Sequence, residues 1–355
     1  MYVRAFSLLV AIATAGPRLD AQESERVSGT PLCGECVIVL NGVVTIGGLE
    51  GEGLNPIAFE SHVAVDAHDR VLVTFYRVPQ ISVFDMGGTF VRTVGRRGEG
   101  PGEYGFISHV AADRQYVHVF DYEGTHTVLD ESFQVVRTDR LPAEVLSSAA
   151  LEPGRIAFVG DLRTPTSVGH RLHVIDLSGS VASFGATGSA HIGATADRFA
   201  VAGNAETLWA VQQSGDNQLI RWDLSPEPRV GHVYHRVVER FEEDNPSGFS
   251  FPRSYNAGAM LDDQGLWIAW NAPDPEWTER EVRQGERLPD VPIQDIYDGW
   301  LDLVDPSTGQ TIARTQLDSV LLGFASGSTY AVAYRESEAG VPYITLLAPT
   351  LSRTP

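Results

Sequence analysis

Two histidines occupy equivalent positions in a stretch of sequence that occurs twice. Residues 48–66 (GLEGEGLNPIAFESHVAVD) and 95–113 (GRRGEGPGEYGFISHVAAD) align without a gap at an offset of 47 and agree at ten of nineteen positions, His62 and His109 among them. Imidazoles are common zinc ligands, and a catalytic zinc normally has three protein ligands. No third equivalent histidine follows. In the predicted fifth blade, the aligned place is near 256–258, which contains no histidine.

We therefore predict no metal and no cofactor, and keep a site at His62 and His109 as the weaker alternative. We expect the two side chains to anchor their loops by hydrogen bonds to neighbouring backbone. With Asn256 they are the candidate residues for a central channel. The pairs His170/His173 and His232/His235 are three residues apart in predicted strands, which sends their side chains to opposite faces.

Two carboxylates, Glu99 and Glu103, could form an acid pair. They lie in a glycine-rich loop, and Glu99 recurs as Glu52, so we interpret them as structural contacts that Arg96 and Arg97 could bridge. Arg97, Glu99 and Glu103 remain candidates for binding at a rim. There is no Gly-x-Ser-x-Gly motif or nucleotide-binding loop, and the absence of lysine excludes Schiff-base chemistry. A catalytic residue is not predicted.

The repeated stretch also predicts the elements that position these residues. A period in the forties with β-rich sequence is typical of propeller blades. The glycines of 95–102 allow positive φ and sharp turns. Phe59 and Phe106 are expected to pack each loop onto a core, and Ala64 and Ala111 suit the crowded innermost strand of a blade.

The run GRRGEGPGEY followed by FISHVA resembles the linking loop of NHL-type six-bladed β-propellers, in particular the exported bacterial six-bladed β-propeller proteins. The resemblance is good over about residues 37–140 and architectural beyond them. It implies a closed ring of four-stranded blades with a binding surface at one mouth of the channel. Most proteins of this kind have no assigned activity, and no catalytic residue is carried over.

The fold class predicted is all-β, with a single six-bladed propeller over 37–349 and a tail at 350–355. A strand at 37–46 precedes the first blade, and we expect it to join the last blade as its outer strand and close the ring. Blades are predicted at about 61–97, 108–140, 146–185, 197–238, 255 to beyond 305, and 318–348. A seven-bladed ring is the main competitor.

The N-terminus carries the features of a secretory signal peptide at 1–21. Arg4 precedes an apolar run over 5–16, and Ala21 is expected to be the last residue removed. The alternative is a buried strand or a short anchor. No later segment is long and apolar enough to cross a membrane. The prediction is an exported protein, periplasmic or extracellular, without membrane insertion.

The segment 22–36 contains both cysteines of the chain, Cys33 and Cys36. A structural disulfide is expected in an oxidising compartment. A redox role would need a thioredoxin-like βαβ setting, and zinc would need two further ligands. The related propellers often carry a similar pair just before their first strand, which also implies a structural role.

The formal net charge of −20 bears on partners. Such a surface repels nucleic acid and anionic membranes, whose recognition depends on basic patches. Cationic or neutral ligands fit this overall charge better. We expect a monomer whose partner is a peptide, a glycan or a protein.

The most irregular part of the predicted ring is an insertion in blade five, residues 271–299. Long polar loops on a rigid scaffold are frequent binding sites, and Trp277, Tyr297 and Arg280 are the candidates in this one. The alternative is a solvated loop without a role. A second rim loop is predicted at 239–253.

The function predicted is that of an exported, non-catalytic scaffold that binds a peptide, glycan or protein at one mouth of its channel. One alternative is a metal-dependent lyase or hydrolase of the NHL-like or lactonase-like propeller type. The other is a structural subunit of a cell-envelope complex.

Overall fold

The structure is a computed structural model that describes residues 24–48, 61–75, 78–141, 143–162, 170–185, 198–214, 217–241, 253–275 and 292–353. Six four-stranded antiparallel sheets follow one another along these residues. The predicted signal peptide lies outside them. None of the helices in the described part has the length and apolar character needed to cross a membrane.

Each sheet is one blade, described from its innermost strand outwards. Blade one has β3 (His62–Val65), β4 (Val71–Thr74), β5 (Ile81–Phe84) and β6 (Phe90–Val94). Blade two has β9 (Ile107–Ala112), β10 (Val117–Asp121), β11 (Thr125–Leu129) and β12 (Val135–Arg140). Blade three has β13 (Val145–Glu152), β14 (Arg155–Gly160), β15 (Leu172–Asp176) and β16 (Val181–Phe184).

Blade four has β17 (Phe199–Gly203), β18 (Thr207–Gln212), β19 (Gln218–Asp223) and β20 (Arg229–Val237), and β1 (Glu25–Ser28) lies outside β20 as a fifth strand. Blade five has β21 (Tyr255–Leu261), β22 (Leu266–Pro273), β23 (Tyr297–Val304) and β24 (Thr311–Leu317). Blade six has β25 (Val320–Phe324), β26 (Ala331–Glu336), β27 (Pro342–Arg353) and β2 (Cys36–Gly47). A two-stranded sheet, β7 (Arg96–Arg97) with β8 (Glu103–Tyr104), lies between blades one and two.

The strands are short, rich in β-branched residues and ended by aspartate turns. All four residues of β4 are buried because both faces of a blade pack against its neighbours. Asp113 ends the innermost strand of blade two, where its Oδ1 accepts hydrogen bonds from the N–H groups of Gln115 and Tyr116, both at 2.7 Å. Asp85 does the same for Gly87 and Thr89 in blade one. These turns fix where each strand stops.

The core is divided among the contacts between blades. Apolar clusters lie between blades one and two, two and three, three and four, four and five, five and six, and six and one. The ring therefore closes on itself after six blades. The six-bladed, all-β prediction is confirmed, and the seven-bladed alternative is wrong.

The ring is closed by the N-terminal strand, as the sequence predicts. β2 pairs antiparallel with β27 from Cys36 opposite Arg353 to Gly47 opposite Tyr343. The predicted tail at 350–355 is corrected at its start, because β27 continues to Arg353 and residues 350–353 are paired with β2.

The N-terminal segment 24–36, which we call the strap, is part of the fold, although the sequence predicts only a cysteine-bearing segment before the propeller. β1 pairs in parallel with β20 on the outer edge of blade four. The N–H groups of Leu32 and Cys33 then donate to the carbonyls of Thr311 and Ile312 in blade five, at 3.0 and 3.1 Å. A disulfide joins Cys33 to Cys36, where β2 begins. The strap thus connects the outer edges of blades four, five and six.

The linking loop between blades one and two uses its glycines as expected, since Gly95 and Gly102 have φ of +86° and +72°. Its apolar anchor differs from the prediction. Tyr104 is the buried residue that packs into the cluster between blades one and two. Phe106 is half-buried beneath the Arg97 guanidinium, 5.2 Å from its ring centroid. Phe59 lies outside the described residues.

Candidate functional site: the axial channel

The six innermost strands surround a channel that contains two connected cavities. The larger, which we call the mouth, has a volume of about 530 Å³ and lies at the C-terminal ends of the inner strands. The smaller, which we call the neck, has about 90 Å³ and lies towards their N-terminal ends. Both are lined by Ser148, Val201, Ala259, Phe324 and Ser326, so they are successive parts of one channel.

The neck contains the two repeated histidines. The rings of His62 and His109 meet edge to face with their centroids 4.3 Å apart, as expected from their equivalent places in neighbouring blades. His109 Nε2 lies 2.8 Å from Ser148 Oγ on blade three. The predicted anchoring to backbone is thus replaced, for His109, by a side-chain hydrogen bond between blades. Its buried Nδ1 has no hydrogen-bond partner among the described residues.

Both neck imidazoles are neutral at physiological pH. Burial lowers the pKa of His62 to about 4. Burial, and then the proximity of His62, hold the pKa of His109 well below its ordinary value. The neck is therefore a narrow constriction in which the two imidazoles carry no charge.

Blades five and six approach each other closely beside the neck. A Cβ atom on Gly258 would lie 2.5 Å from Gly323 Cα, and a Cβ on Gly323 would lie 2.9 Å from the Ala257 carbonyl. Side chains at either position would push the two inner strands apart. The glycines therefore keep this part of the channel narrow.

The mouth has a wall of small residues, including Ala149, Ala150, Ala202 and Ala259. The sequence predicts small residues in the crowded inner strands. At this wall, the inner strands of blades three, four and five contain them. Because these side chains are short, the backbone of the inner strands lies close to the cavity. A bound molecule could contact peptide groups as well as side chains.

Charged groups around the mouth are unequally partnered. Asp113 Oδ2 accepts from Gly154 N–H at 2.7 Å and from His118 Nε2 at 3.1 Å, in addition to the two turn N–H groups. Burial opposes ionisation of Asp113, but these hydrogen bonds outweigh it and lower its pKa. Glu152 is paired with Arg155 at 3.0 Å. Arg114 is exposed and has no ion pair or hydrogen bond among the described residues.

The inner strand β13 presents an open edge to the mouth. Residues 146–150 of β13 are all partly exposed. On one side β13 pairs with β14, and none of the described residues makes a backbone hydrogen bond to the groups of 147–150 on the other side. These N–H and C=O groups are available to a ligand.

The corresponding edge of blade one is covered by the chain itself. Residues 325–330, which we call the inner turn of blade six, reach across to β3. Ser326 N–H donates to the Val63 carbonyl at 3.0 Å, and Val65 N–H donates to the Ser326 carbonyl at 2.8 Å. Ser326 Oγ also accepts from Ala112 N–H of blade two at 3.2 Å. The inner turn closes one side of the mouth.

A groove of about 300 Å³ runs outwards from the mouth between the turns of blades one and two. Asp113 and Arg114 line both the groove and the mouth. The other acidic residues of the groove are Asp66, Asp130 and Glu131, and Asp130 accepts hydrogen bonds from turn N–H groups. Asp66 binds Arg70 at 2.6 Å, and His68 lies 3.5 Å from Glu131.

Behind Asp113 lies a chain of buried imidazoles that is not among the sequence-based predictions. His118 bonds to Asp113, its Nδ1 lies 3.1 Å from His126 Nε2, and His126 Nδ1 is 3.9 Å from Asp139. Because Asp113 is an acceptor, His118 donates through Nε2 and His126 donates to His118. Burial, then His118, lowers the pKa of His126 to about 3. Two histidines on neighbouring strands of one hairpin were the available sequence signal.

Several predicted binding residues occupy other places. Tyr297 is a correction: it is 4% exposed, lies in the core between blades six and one, and packs edge to face on Tyr255. The insertion ends in a strand there, so its last residues return to the core. Asn256 is buried, and its Nδ2 donates to the Gln212 carbonyl at 2.6 Å, away from the channel. Trp277 and Arg280 lie outside the described residues.

The candidate residues in the loop before blade two are Arg97, Glu99 and Glu103, and the contacts of Glu103 are structural. Glu103 accepts from Gly100 N–H at 3.0 Å and from Arg96 Nε at 2.8 Å, and these bonds lower its pKa. Glu99 and Arg97 are exposed. None of the described residues forms a group of three or more His, Cys, Asp or Glu side chains suited to a metal ion.

Comparison with known proteins agrees with the architecture. Residues 58–176 match the family model described as "6-bladed beta-propeller", which confirms the predicted resemblance to bacterial six-bladed propellers over that part of the chain. No curated protein matches the sequence.

Two solved structures share the fold at low identity. One is a Bacteroides fragilis protein whose description proposes that it is exported; it is 13% identical, with a TM-score of 0.56, over 91% of this chain and 98% of the other. The second is a member of the DUF4221 family from Bacteroides vulgatus, 10% identical, with a TM-score of 0.58, over 89% and 99%. At these identities the similarity extends to the fold alone.

Proposed function

We propose that this protein is an exported binding protein whose ligand occupies the mouth of the propeller channel. The observation that carries the proposal is the mouth itself. Its volume of about 530 Å³ is in the range of small-molecule and peptide sites. At its inner end it narrows to the neck, where His62 and His109 are in contact.

Export is supported by the sequence features of 1–21 and by the description of one structural neighbour. A tight disulfide in the strap is consistent with an oxidising compartment. The periplasm or the cell exterior meets these conditions.

The chemistry at the mouth suits binding. Asp113 is saturated by four hydrogen-bond donors, and Glu152 is paired with Arg155, so neither carboxylate is placed as a free acid or base. A rigid wall of inner strands holds the cavity in shape, which reduces the entropy cost of ordering the site around a ligand. The ligand is expected to be a short peptide or oligosaccharide segment.

The test is a screen of defined short peptides and oligosaccharides by ligand-observed NMR and thermal shift. The blocking variant is Ala150→Phe, because Ala150 lies on the mouth wall and is partly exposed. The matched control is Ala182→Phe, which adds the same side chain to an exposed position on the outer strand of the same blade. We expect ligands that bind the wild type and the control but not Ala150→Phe.

Two outcomes would overturn the proposal. One is that every ligand found binds Ala150→Phe as well as the wild type, which would place the site elsewhere. The other is that no member of either class binds the wild type at millimolar concentration.

A further inference from the structure

We infer that the ligand of the mouth is an extended acidic peptide, whose main chain pairs with the inner edge of blade three and whose carboxylate is bound by Arg114. This inference rests on the proposed function and specifies its ligand. Three observations carry it: the open edge of β13, the unpaired charge of Arg114, and the groove that continues the cavity outwards.

The open edge favours a peptide over other ligands. Over 148–150 (Ser-Ala-Ala), alternate residues of β13 present their peptide groups to the cavity, and no described residue makes a main-chain hydrogen bond to them on that side. An exposed strand edge is a template for another strand, with main-chain hydrogen bonds that supply affinity and side-chain pockets that supply specificity. The small side chains allow a second backbone to approach β13 closely.

The molecule already uses this mode of binding at two other edges. Ser326 lies on the inner edge of blade one with two main-chain hydrogen bonds, in a parallel bridge to Ala64. β1 lies in parallel on the outer edge of blade four. In both cases an extended segment of the same chain covers an edge that would otherwise be free. The edge of blade three that faces the mouth has no such cover among the described residues.

The charge at the mouth favours an acidic ligand. The whole chain carries −20, which by itself would attract cations. At the mouth, the oxygens of Asp113 are occupied by four donors within the fold, and the charge of Glu152 is compensated by Arg155. Arg114 is left as an exposed guanidinium without a partner among the described residues. A guanidinium is suited to a carboxylate because it can donate two parallel hydrogen bonds.

The positions of these groups define the shape of the ligand. The neck stops the inner end, since His62 and His109 are in contact there. Arg114 borders both the mouth and the groove between blades one and two. The peptide is therefore extended along β13, places an acidic residue at Arg114 where it leaves the mouth, and continues into the groove.

The first experiment compares two peptides that differ in one charge, acetyl-Ala-Ala-Ala-Asp-amide and acetyl-Ala-Ala-Ala-Asn-amide, by isothermal titration calorimetry. We expect the acidic peptide to bind the wild type about tenfold more tightly, as for one charge-assisted contact in a partly enclosed site. Arg114→Gln should bring the two affinities together. Arg335→Gln is the matched control, an exposed arginine about 13 Å along β26 from the mouth, and should keep the preference.

The second experiment tests main-chain pairing with the same acidic peptide N-methylated at one position at a time. A strand paired on one edge uses alternate N–H groups. We expect two of the N-methyl peptides to lose about tenfold in affinity and those between them to lose much less.

The inference is overturned if the acidic and neutral peptides bind the wild type equally, if the preference survives Arg114→Gln, or if N-methylation has no effect at any position. Preferential binding of oligosaccharides would also overturn it. In each of these cases the proposed function is still supported if some ligand binds the wild type and Ala150→Phe prevents its binding. If nothing that binds is blocked by Ala150→Phe, the proposed function fails first.

Discussion

Blade one and blade three each have an inner strand whose free edge faces the channel, but this edge is covered in blade one and open in blade three. On blade one, Ser326 of the inner turn pairs with Val63 and Val65 and covers the edge. On blade three, residues 148–150 have no such cover among the described residues and line a cavity of about 530 Å³. A propeller exposes such an edge in every blade, so each edge either contributes to stability by pairing within the chain or is available for binding.

The outer edges follow the same rule. β1 covers blade four, and β2 supplies the outer strand of blade six. Both come from the N-terminal part of the chain: β2 joins the two ends of the ring in blade six, and β1 attaches the strap to blade four. The covered edges lie on blades one, four and six, whereas the open edge of β13 lies on blade three. Changes at covered edges should therefore affect folding, and changes at the open edge should affect binding.

The largest effect is expected at the covered edge, for Gly327→Ala. Gly327 has φ of +81°, and a Cβ there would lie 2.4 Å from the Val65 carbonyl and 3.0 Å from the Ala112 carbonyl. Backbone strain and overlap should together lower the free energy of unfolding by about 3 kcal/mol, measured by urea denaturation. Gly340→Ala is the control, with φ of +72° and open space around its Cβ, and should lose about 1 kcal/mol. Equal losses would mean that the inner turn does not hold the edge.

The neck, which separates the two edges, should make stability depend on pH. The pKa of His62 is lowered to about 4, and that of His109 is also lowered, so below about pH 6.5 the unfolded chain binds protons that the folded chain does not. The contribution of these two imidazoles to stability should be constant above about pH 7.5 and fall as the pH decreases towards 4. Each imidazole contributes up to about 1.4 kcal/mol per pH unit.

The matching measurement is urea denaturation at pH 6.5 and 5.5. The double variant His62→Gln/His109→Gln should reduce the loss between these values by about 2 kcal/mol, whatever its stability at pH 7. Val91→Gln, at an exposed position of β6, is the control and should leave the slope unchanged because it removes no titratable group. A double variant with the wild-type slope would show that these imidazoles are not kept neutral by the fold.

A smaller effect is expected at the covered outer edges from loss of the disulfide. Cys33→Ser/Cys36→Ser opens a loop with a sequence separation of 3. Because so short a loop restricts the unfolded chain little, the loss should be about 1–2 kcal/mol. The comparison is the unfolding of the oxidised wild type, without reductant. A loss above about 4 kcal/mol would mean that the disulfide also holds the strap in place.

The smallest effect on stability is expected at the open edge. Ala150 lies on the mouth wall but also packs against the apolar cluster between blades two and three, so Ala150→Phe should lower the free energy of unfolding by about 1 kcal/mol, although binding is lost. Ala182→Phe, at an exposed position, should leave the free energy of unfolding within about 0.5 kcal/mol of the wild type and keep binding. A loss of more than about 2 kcal/mol for Ala150→Phe alone would show that the edge is packed and not open.

The strand pattern was the part of the fold that could be predicted most completely. The repeat at an offset of 47 predicted blades, and the apolar segment before the first blade predicted the strand that closes the ring. Both depend on local sequence: alternating strands, aspartate turns and glycine-rich loops. The contact of His62 with His109 was also predictable, because equivalent residues of neighbouring blades are adjacent in a ring.

The candidate site could be predicted much less well. Tyr297 was expected at a rim but lies in the core, because sequence does not show where an insertion ends and a strand resumes. The chain from Asp113 through His118 to His126 depends on which faces of two strands meet inside a blade. The strap strand β1 is four residues long and too short to leave a pattern.

The sequence by itself determined that this protein is a ring of β-blades closed by its N-terminal strand, since repeats and turn residues act over a few neighbouring positions. The tertiary structure alone decided which strand edges are covered and which charges are free. Arg114 is one of 26 arginines, and its lack of a partner among the described residues follows from where Asp113, Glu152 and Arg155 lie in three dimensions. Edge pairing and charge compensation join residues far apart in the chain, so their outcome depends on how the blades close around the axis.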